Sequence, residues 1–213
     1  MVCKPEDELS VLCDIYGSDK GSMYNDCHTY TLEYFYLFHK IRDNVEMVFE
    51  CGIGTNNPKL PSSMGLYGQP GASLRVWRDY FKNAQIVGVD IDKKILFEEG
   101  RIHTAYIDQT DPKEIEELFH SLFNKYQKLF DIMIDDGLHT FEAAICLFEN
   151  SFHYLANNGY YIIEDMGYSD IPRFEKYFSD CKYNKEIIVD IKAMYTQRKP
   201  NNNIIILQKT GRN

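Results

Sequence analysis

Two short apolar runs in this chain end abruptly in acids. Phe130-Asp131-Ile132-Met133-Ile134 leads into Asp135-Asp136-Gly137-Leu138-His139, and Tyr160-Tyr161-Ile162-Ile163 leads into Glu164-Asp165. An apolar run without alternation that turns suddenly polar is the pattern of a buried parallel strand delivering its C-terminal end to a crevice. Two such strands side by side would gather Asp136, Glu164 and Asp165 around one point. Three carboxylates that close repel and raise one another's pKa unless a cation sits among them, so the residues predict a metal site. Hard carboxylate oxygens select Mg²⁺ or Ca²⁺ over zinc, and Mg²⁺ keeps positions open for water or substrate. His139 follows three residues after Asp136, and an imidazole titrates near neutral pH, as a proton acceptor should. Taken singly each residue has a plainer reading: His139 and Asp136 as helix caps, Glu164-Asp165 as the start of a solvated loop. It is the combination that points to chemistry.

The elements that must position these residues alternate between strand and helix. Val45 to Cys51 is extended and apolar and runs into Glu50-Cys51-Gly52-Ile53-Gly54, a strand followed by a glycine turn that lets backbone approach a ligand. The dinucleotide fingerprint wants a third glycine where Asn57 stands, so G-x-G alone is weak. A loop rich in glycine, proline and asparagine covers 55–71, long enough to be a functional lid. Ala72 to Phe81 is a helix with Leu74, Trp77, Tyr80 and Phe81 on one face. The second strand, 85–91, ends at Asp90, placed to accept hydrogen bonds from a ribose diol. His103 to Asp108 gives a third strand, Asp111-Pro112 opens a helix to Tyr126, and Thr140 caps another that Asn157-Asn158-Gly159 stops. Two β-rich runs, 185–191 and 203–209, close the chain with no helix between them and should pair antiparallel. The expected fold is α/β and Rossmann-like: a mostly parallel seven-stranded sheet with one reversed edge strand and helices on both faces. Residues 1–44, with apolar spacing in 5–14 and 29–41, form an N-terminal helical cap on a single 1–213 domain.

Composition narrows the partners. At 213 residues the chain suits one core, and it has no run of ~18 apolar residues for a membrane span. Its start lacks a basic then apolar leader, and the six cysteines sit at no zinc spacing, which together imply reduced thiols in the cytoplasm. A net charge of -9 disfavours nucleic acid and anionic membrane and leaves a small-molecule or glycan acceptor, with room for a homo-oligomer.

Glu50-x-Gly52-x-Gly54, Asp90 and the terminal hairpin resemble a class I S-adenosylmethionine-dependent methyltransferase. Five ordered stretches between residues 16 and 166 narrow this further: Tyr16-Gly17-Ser18-Asp19-Lys20-Gly21, Gly71-Ala72-Ser73-Leu74-Arg75-Val76-Trp77, Asp108-Gln109, Asp135-Asp136-Gly137-Leu138-His139 and Ile163-Glu164-Asp165. They are similar to the metal-dependent macrocin/mycinamicin-type sugar O-methyltransferases. The resemblance implies Mg²⁺ on Asp136, Glu164 and Asp165 and His139 as base. It also implies S-adenosylmethionine held by Glu50, Gly52, Gly54, Ser73, Asp90, Asp108, Gln109 and Asp135, with Tyr16 and Lys20 beside it. The reaction so implied is methylation of a sugar hydroxyl in surface polysaccharide or glycosylated natural product biosynthesis. A catechol-like acceptor, whose hydroxyl a metal alone can ionise, is the alternative. A nicotinamide oxidoreductase is disfavoured by Asn57 and the hairpin, and an inactive cofactor-binding regulator by the full set of acids with His139.

Overall fold

The computed structural model describes residues 8–21, 30–193 and 203–211. Eight strands form one sheet in the order β3-β4-β2-β1-β5-β6-β8-β7. They are β1 (Met47–Cys51), β2 (Gln85–Asp90), β3 (Glu98–Glu99), β4 (Ile102–Tyr106), β5 (Phe130–Asp135), β6 (Leu155–Met166), β7 (Ile187–Ala193) and β8 (Asn203–Lys209). β4, β2, β1, β5 and β6 run parallel. β8 is antiparallel to both β6 and β7, so the reversed strand lies one place in from that edge. The eighth strand is the two-residue β3, reversed at the other edge and too short to leave a periodic signal.

Each parallel strand of the centre is apolar on both sides because helices cover both faces. The helices are α1 (Glu8–Tyr16), α2 (Thr31–Phe38), α3 (Ala72–Tyr80), α4 (Pro112–Tyr126), α5 (Phe141–Ser151) and α6 (Ile171–Asp180). Met47, Phe49 and Cys51 of β1 face α4, α5 and α6 through Phe119, Phe148 and Phe174, while Val48 faces α1, α2 and α3 through Leu9, Phe38 and Trp77. The period of two carries a consequence for the polar residues. Glu50 shares the Val48 side, and Glu164 shares the side of Ile162, so both point toward α1, α2 and α3. Among the described residues no helix is long and apolar enough to cross a membrane.

The caps follow the sequence closely. The Asp111 side chain accepts from the Lys113 and Glu114 amides ahead of Pro112, and Thr140 accepts from the Ala143 amide. One boundary differs. The helix expected to run up to Asn157-Asn158-Gly159 ends at Ser151, and those residues lie inside β6, where the β5–β6 register shifts and Asn158 adopts φ 65°. The turn formers mark a strand irregularity, because Leu155 already pairs with Phe130. Cys3, Cys27 and the connection at 194–202 lie outside the described residues.

Candidate active site

The C-terminal ends of β1, β2, β4, β5 and β6 open into a cavity of about 620 Å³, a volume suited to a nucleoside-sized ligand. Its wall on the β1–β2 side is built from backbone. Gly52 and Gly54 turn the chain at φ 84° and 87°, and a Cβ at Gly52 would collide with the Asp136 carbonyl oxygen. Asp90, 6 % exposed, accepts the amides of Ile53 (2.9 Å) and Asp92 (2.8 Å). Burial raises its pKa against the pull of those amides. The loop beyond Gly54 folds back, with the Met64 amide donating to the Thr55 carbonyl at 2.9 Å, so Leu60 to Met64 roof the cavity.

The opposite wall is built from side chains. Gln109 ties two of its parts together: Nε2 donates to Asp135 Oδ1 at 2.6 Å, and Oε1 accepts the Leu138 amide at 2.9 Å. That clamp aims the turn carrying Asp136 and His139. His139 Nε2 lies 3.2 Å from Asp136 Oδ1. Asp136, His139 and Asp165 offer ligand atoms that all lie within 4.8 Å of one another, a donor set of two hard carboxylates and an imidazole that fits a divalent cation. His139 and Asp165 also share a backbone oddity, φ 58° and 56°. Neither is a glycine, and residues held in that left-handed region cluster at functional sites.

Behind this trio stands a buried ionic layer. Lys20 Nζ donates to Asp136 Oδ2 and to Glu164 Oε2, both at 2.6 Å, and lies 3.4 Å from Glu50 Oε1. Glu50 Oε2 accepts from Ser73 Oγ (2.8 Å) and Trp77 Nε1 (2.9 Å), Tyr34 donates to Glu164 Oε1, and Tyr30 donates to Asp165 Oδ1 at 2.6 Å. The electrostatics follow from this packing. Burial alone would raise Asp136, but the Lys20 ammonium and His139 outweigh it and hold the carboxyl below its usual range. Burial works against a charged His139, yet the hydrogen bond and charge of Asp136 push its pKa up to about 9. Burial pushes Glu50 up to about 7 and Glu164 upward as well, with Lys20 opposing in both cases.

No family profile matches the chain. Curated relatives do. Over 168 residues, 78% of the chain, it is 34% identical to the 8-demethyl-8-alpha-L-rhamnosyl tetracenomycin-C 2'-O-methyltransferase of Streptomyces olivaceus, and over 171 residues it is 34% identical to the demethylmacrocin O-methyltransferase of Streptomyces fradiae. The chain is a relative of the macrocin/mycinamicin-type sugar O-methyltransferases. It spans only 39% and 38% of those two proteins' own lengths. The structure of the methyltransferase MycE, from the mycinamycin biosynthetic pathway and in complex with Mg, SAH and mycinamycin VI, matches at TM-score 0.73 and 26% identity, covering 96% of this chain and 55% of that one. An O-methyltransferase from Bacillus cereus in complex with SAH, 9% identical at TM-score 0.59 over 98% of this chain and 94% of the other, shares the Rossmann-like methyltransferase fold.

Within this relative of the sugar O-methyltransferases, the residues singled out in the sequence fall into two groups. Gly52, Gly54, Ser73, Asp90, Asp108, Gln109, Lys20, Asp136, His139 and Asp165 line the cavity. Tyr16, Glu50, Asp135 and Glu164 do not. Tyr16 is turned away to Asp79, with Arg78 donating to its hydroxyl at 3.0 Å. Glu50 and Glu164 point under the sheet end by strand parity, and Asp135 is buried beneath the Gln109 clamp. The expected metal set of Asp136, Glu164 and Asp165 therefore meets only in part: Asp136 and Asp165 converge with His139, while Glu164 is paired with the Lys20 ammonium, which also neighbours Asp136 and Glu50. Sequence reasoning gave Tyr30 and Tyr34 only a packing role. Their i, i+4 spacing shows one buried face, while nothing local shows that both hydroxyls reach acids more than a hundred residues away.

Proposed function

We propose that this chain is a cytoplasmic, S-adenosylmethionine-dependent and divalent-metal-dependent O-methyltransferase acting on a sugar hydroxyl of a glycosylated small molecule. The observation that carries the reading is the meeting of two half-sites in one cavity: the Gly52/Gly54/Asp90 wall and, opposite it, Asp136, His139 and Asp165. Relatives that act on sugar hydroxyls, and a structural match to MycE with Mg and SAH, support it.

S-adenosylmethionine supplies the methyl group, and a divalent cation when bound makes a coordinated hydroxyl more acidic, as metals do for water. Asp90 would accept the ribose hydroxyls, with Gly52 and Gly54 letting the backbone come close. Asp108 lines the same cavity, and Gln109, on the opposite wall, fixes the turn that carries the acids. Asp136 and Asp165 would hold the cation. Glu164, if Lys20 yields it, would complete the set and leave His139 free of the cation. An aliphatic hydroxyl is a very weak acid, so its proton needs a taker, and the His139 imidazole lines the cavity beside the acids. Asp136 Oδ1 orients that ring through Nε2 and stabilises the imidazolium once the proton has moved. The cap residues Tyr30 and Tyr34 hold Asp165 and Glu164 in place.

The decisive test incubates the protein with S-adenosylmethionine, Mg²⁺ and a panel of glycosides and nucleotide-sugars, with simple catechols as a second arm. Release of S-adenosylhomocysteine that depends on a glycoside supports the reading. Release with catechols alone would replace the sugar acceptor by a catechol-like one.

A further inference from the structure

Each acid of the buried layer divides its two oxygens between Lys20 and another partner. Asp136 gives Oδ2 to Lys20 and Oδ1 to His139, Glu164 gives Oε2 to Lys20 and Oε1 to Tyr34, and Glu50 sets Oε1 toward Lys20 and Oε2 to Ser73 and Trp77. The ammonium is not a surface charge that happened inward: its side chain is 3% exposed. Its backbone is fixed as firmly. Gly17 turns at φ 74°, the Ser18 amide donates back to the Cys13 carbonyl at 2.9 Å, and a Cβ at Gly21 would press on the Cys13 side chain. With its backbone held in this way and its ammonium buried, Lys20 contributes directly to the electrostatics of the site.

We infer that Lys20 is a built-in counter-ion in competition with the divalent cation, so that ammonium and ion draw on the same Asp136 carboxylate and each weakens the hold of the other. The inference rests on the metal reading above. Asp136 is common to both sets: Oδ2 serves Lys20, and the same carboxylate stands in the Asp136, His139 and Asp165 cluster. Like charges a few ångströms apart in a poorly solvated layer repel strongly, and that repulsion is charged against metal affinity. The benefit is a set of acids that stays folded without metal, because three buried carboxylates with no cation among them would repel and take up protons. Lys20 is thus a positioning residue.

The test measures Mn²⁺ binding by calorimetry and thermal melting, with and without Mn²⁺, for the full chain and its Lys20→Met and Lys20→Arg variants. Lys20→Met, similar in length and uncharged, should bind Mn²⁺ at least tenfold more tightly than the parent, melt lower without the ion and gain more from adding it. Lys20→Arg keeps the charge and should stay near the parent. If Lys20→Met does not fold alone, millimolar Mn²⁺ should restore its circular dichroism and melting transition, because the ion takes the ammonium's place. Unchanged or weaker binding in a folded Lys20→Met, or no rescue of an unfolded one, overturns the inference while parental binding leaves the metal reading standing. Absence of Mn²⁺ binding in parent and variants alike removes both.

Discussion

The two walls of the cavity are made in opposite ways. The Gly52–Gly54 and Asp90 wall is backbone and one acid, set by the ends of neighbouring strands β1 and β2, with the glycines one and three residues beyond the strand that aims them. The acid wall is side chain upon side chain: Asp136, His139 and Asp165 in front, Glu50 and Glu164 behind, and Lys20, Tyr30 and Tyr34 reaching in from the N-terminal cap. The reacting wall is held by contacts that span most of the sequence, so its geometry depends on the whole fold and on the charge balance of a buried layer.

The largest effect that separates the walls is the cation requirement. Excess chelator should abolish turnover and Mg²⁺ should restore it, while calorimetry shows cofactor affinity little changed, since the metal belongs to one wall only. Full turnover in chelator would reduce the acids to structure. Next comes His139→Ala, which should lower turnover by about 10²- to 10⁴-fold with cofactor affinity nearly intact, the loss expected for a positioned general base. A loss under about threefold on the correct acceptor would reject the base and favour a catechol-like substrate.

The pH profile tests the same wall more finely. With its pKa pushed up to about 9 by Asp136, His139 holds a proton at neutral pH in the metal-free protein. Only the unprotonated ring can act as base, so single-turnover rates under limiting Mg²⁺ should climb roughly tenfold per pH unit from 7 and level off near the pKa. Saturating Mg²⁺ draws charge from Asp136 and should move the limb to lower pH. A profile flat from pH 6 to 9 at both metal levels would take the imidazole out of the proton transfer.

How far the sequence exposed each wall follows from this difference in construction. Strand ends, the glycine turn, Asp90, both helix caps and the front residues Asp136, His139 and Asp165 are local features, each readable within a window of a few residues. Even the direction of Glu50 and Glu164 was within reach, because strand parity sends them to the Val48 and Ile162 side. What could not be read locally is the partner of those acids. Lys20 lies 116 residues from Asp136 and 144 from Glu164, and Tyr30 lies 135 from Asp165, so only the packed cap reveals them. The left-handed backbone at His139 and Asp165 was equally hidden: Asp and His enter that region more readily than most residues, yet nothing in the neighbouring sequence marks these two for it.

On the backbone wall, Asp90→Ala should cost about 1.5–3 kcal/mol of cofactor affinity, roughly a 10- to 150-fold rise in Kd, because it removes a charged acceptor of hydrogen bonds. Metal affinity should not move. Unchanged cofactor binding in a variant that melts normally would show that the cofactor does not use Asp90, and its role would shrink to holding the Ile53 and Asp92 amides.

The smallest expected effect belongs to a residue that sequence resemblance put beside the cofactor and the fold puts elsewhere. Tyr16 ends α1, donates to Asp79 and accepts from Arg78, whose guanidinium also pairs with Glu99. That cluster fastens the cap to α3 on the outside of the sheet and contributes nothing to the cavity lining. Tyr16→Phe removes the hydroxyl from a half-exposed network, for which a loss of about 0.5–1.5 kcal/mol is expected, a drop of roughly 1–6 °C in Tm for a chain this size. Cofactor and metal affinities should stay within twofold of the parent. A tenfold loss of S-adenosylmethionine affinity with little change in Tm would mean that α1 turns Tyr16 inward when ligand binds, and the cap would then contribute to both walls.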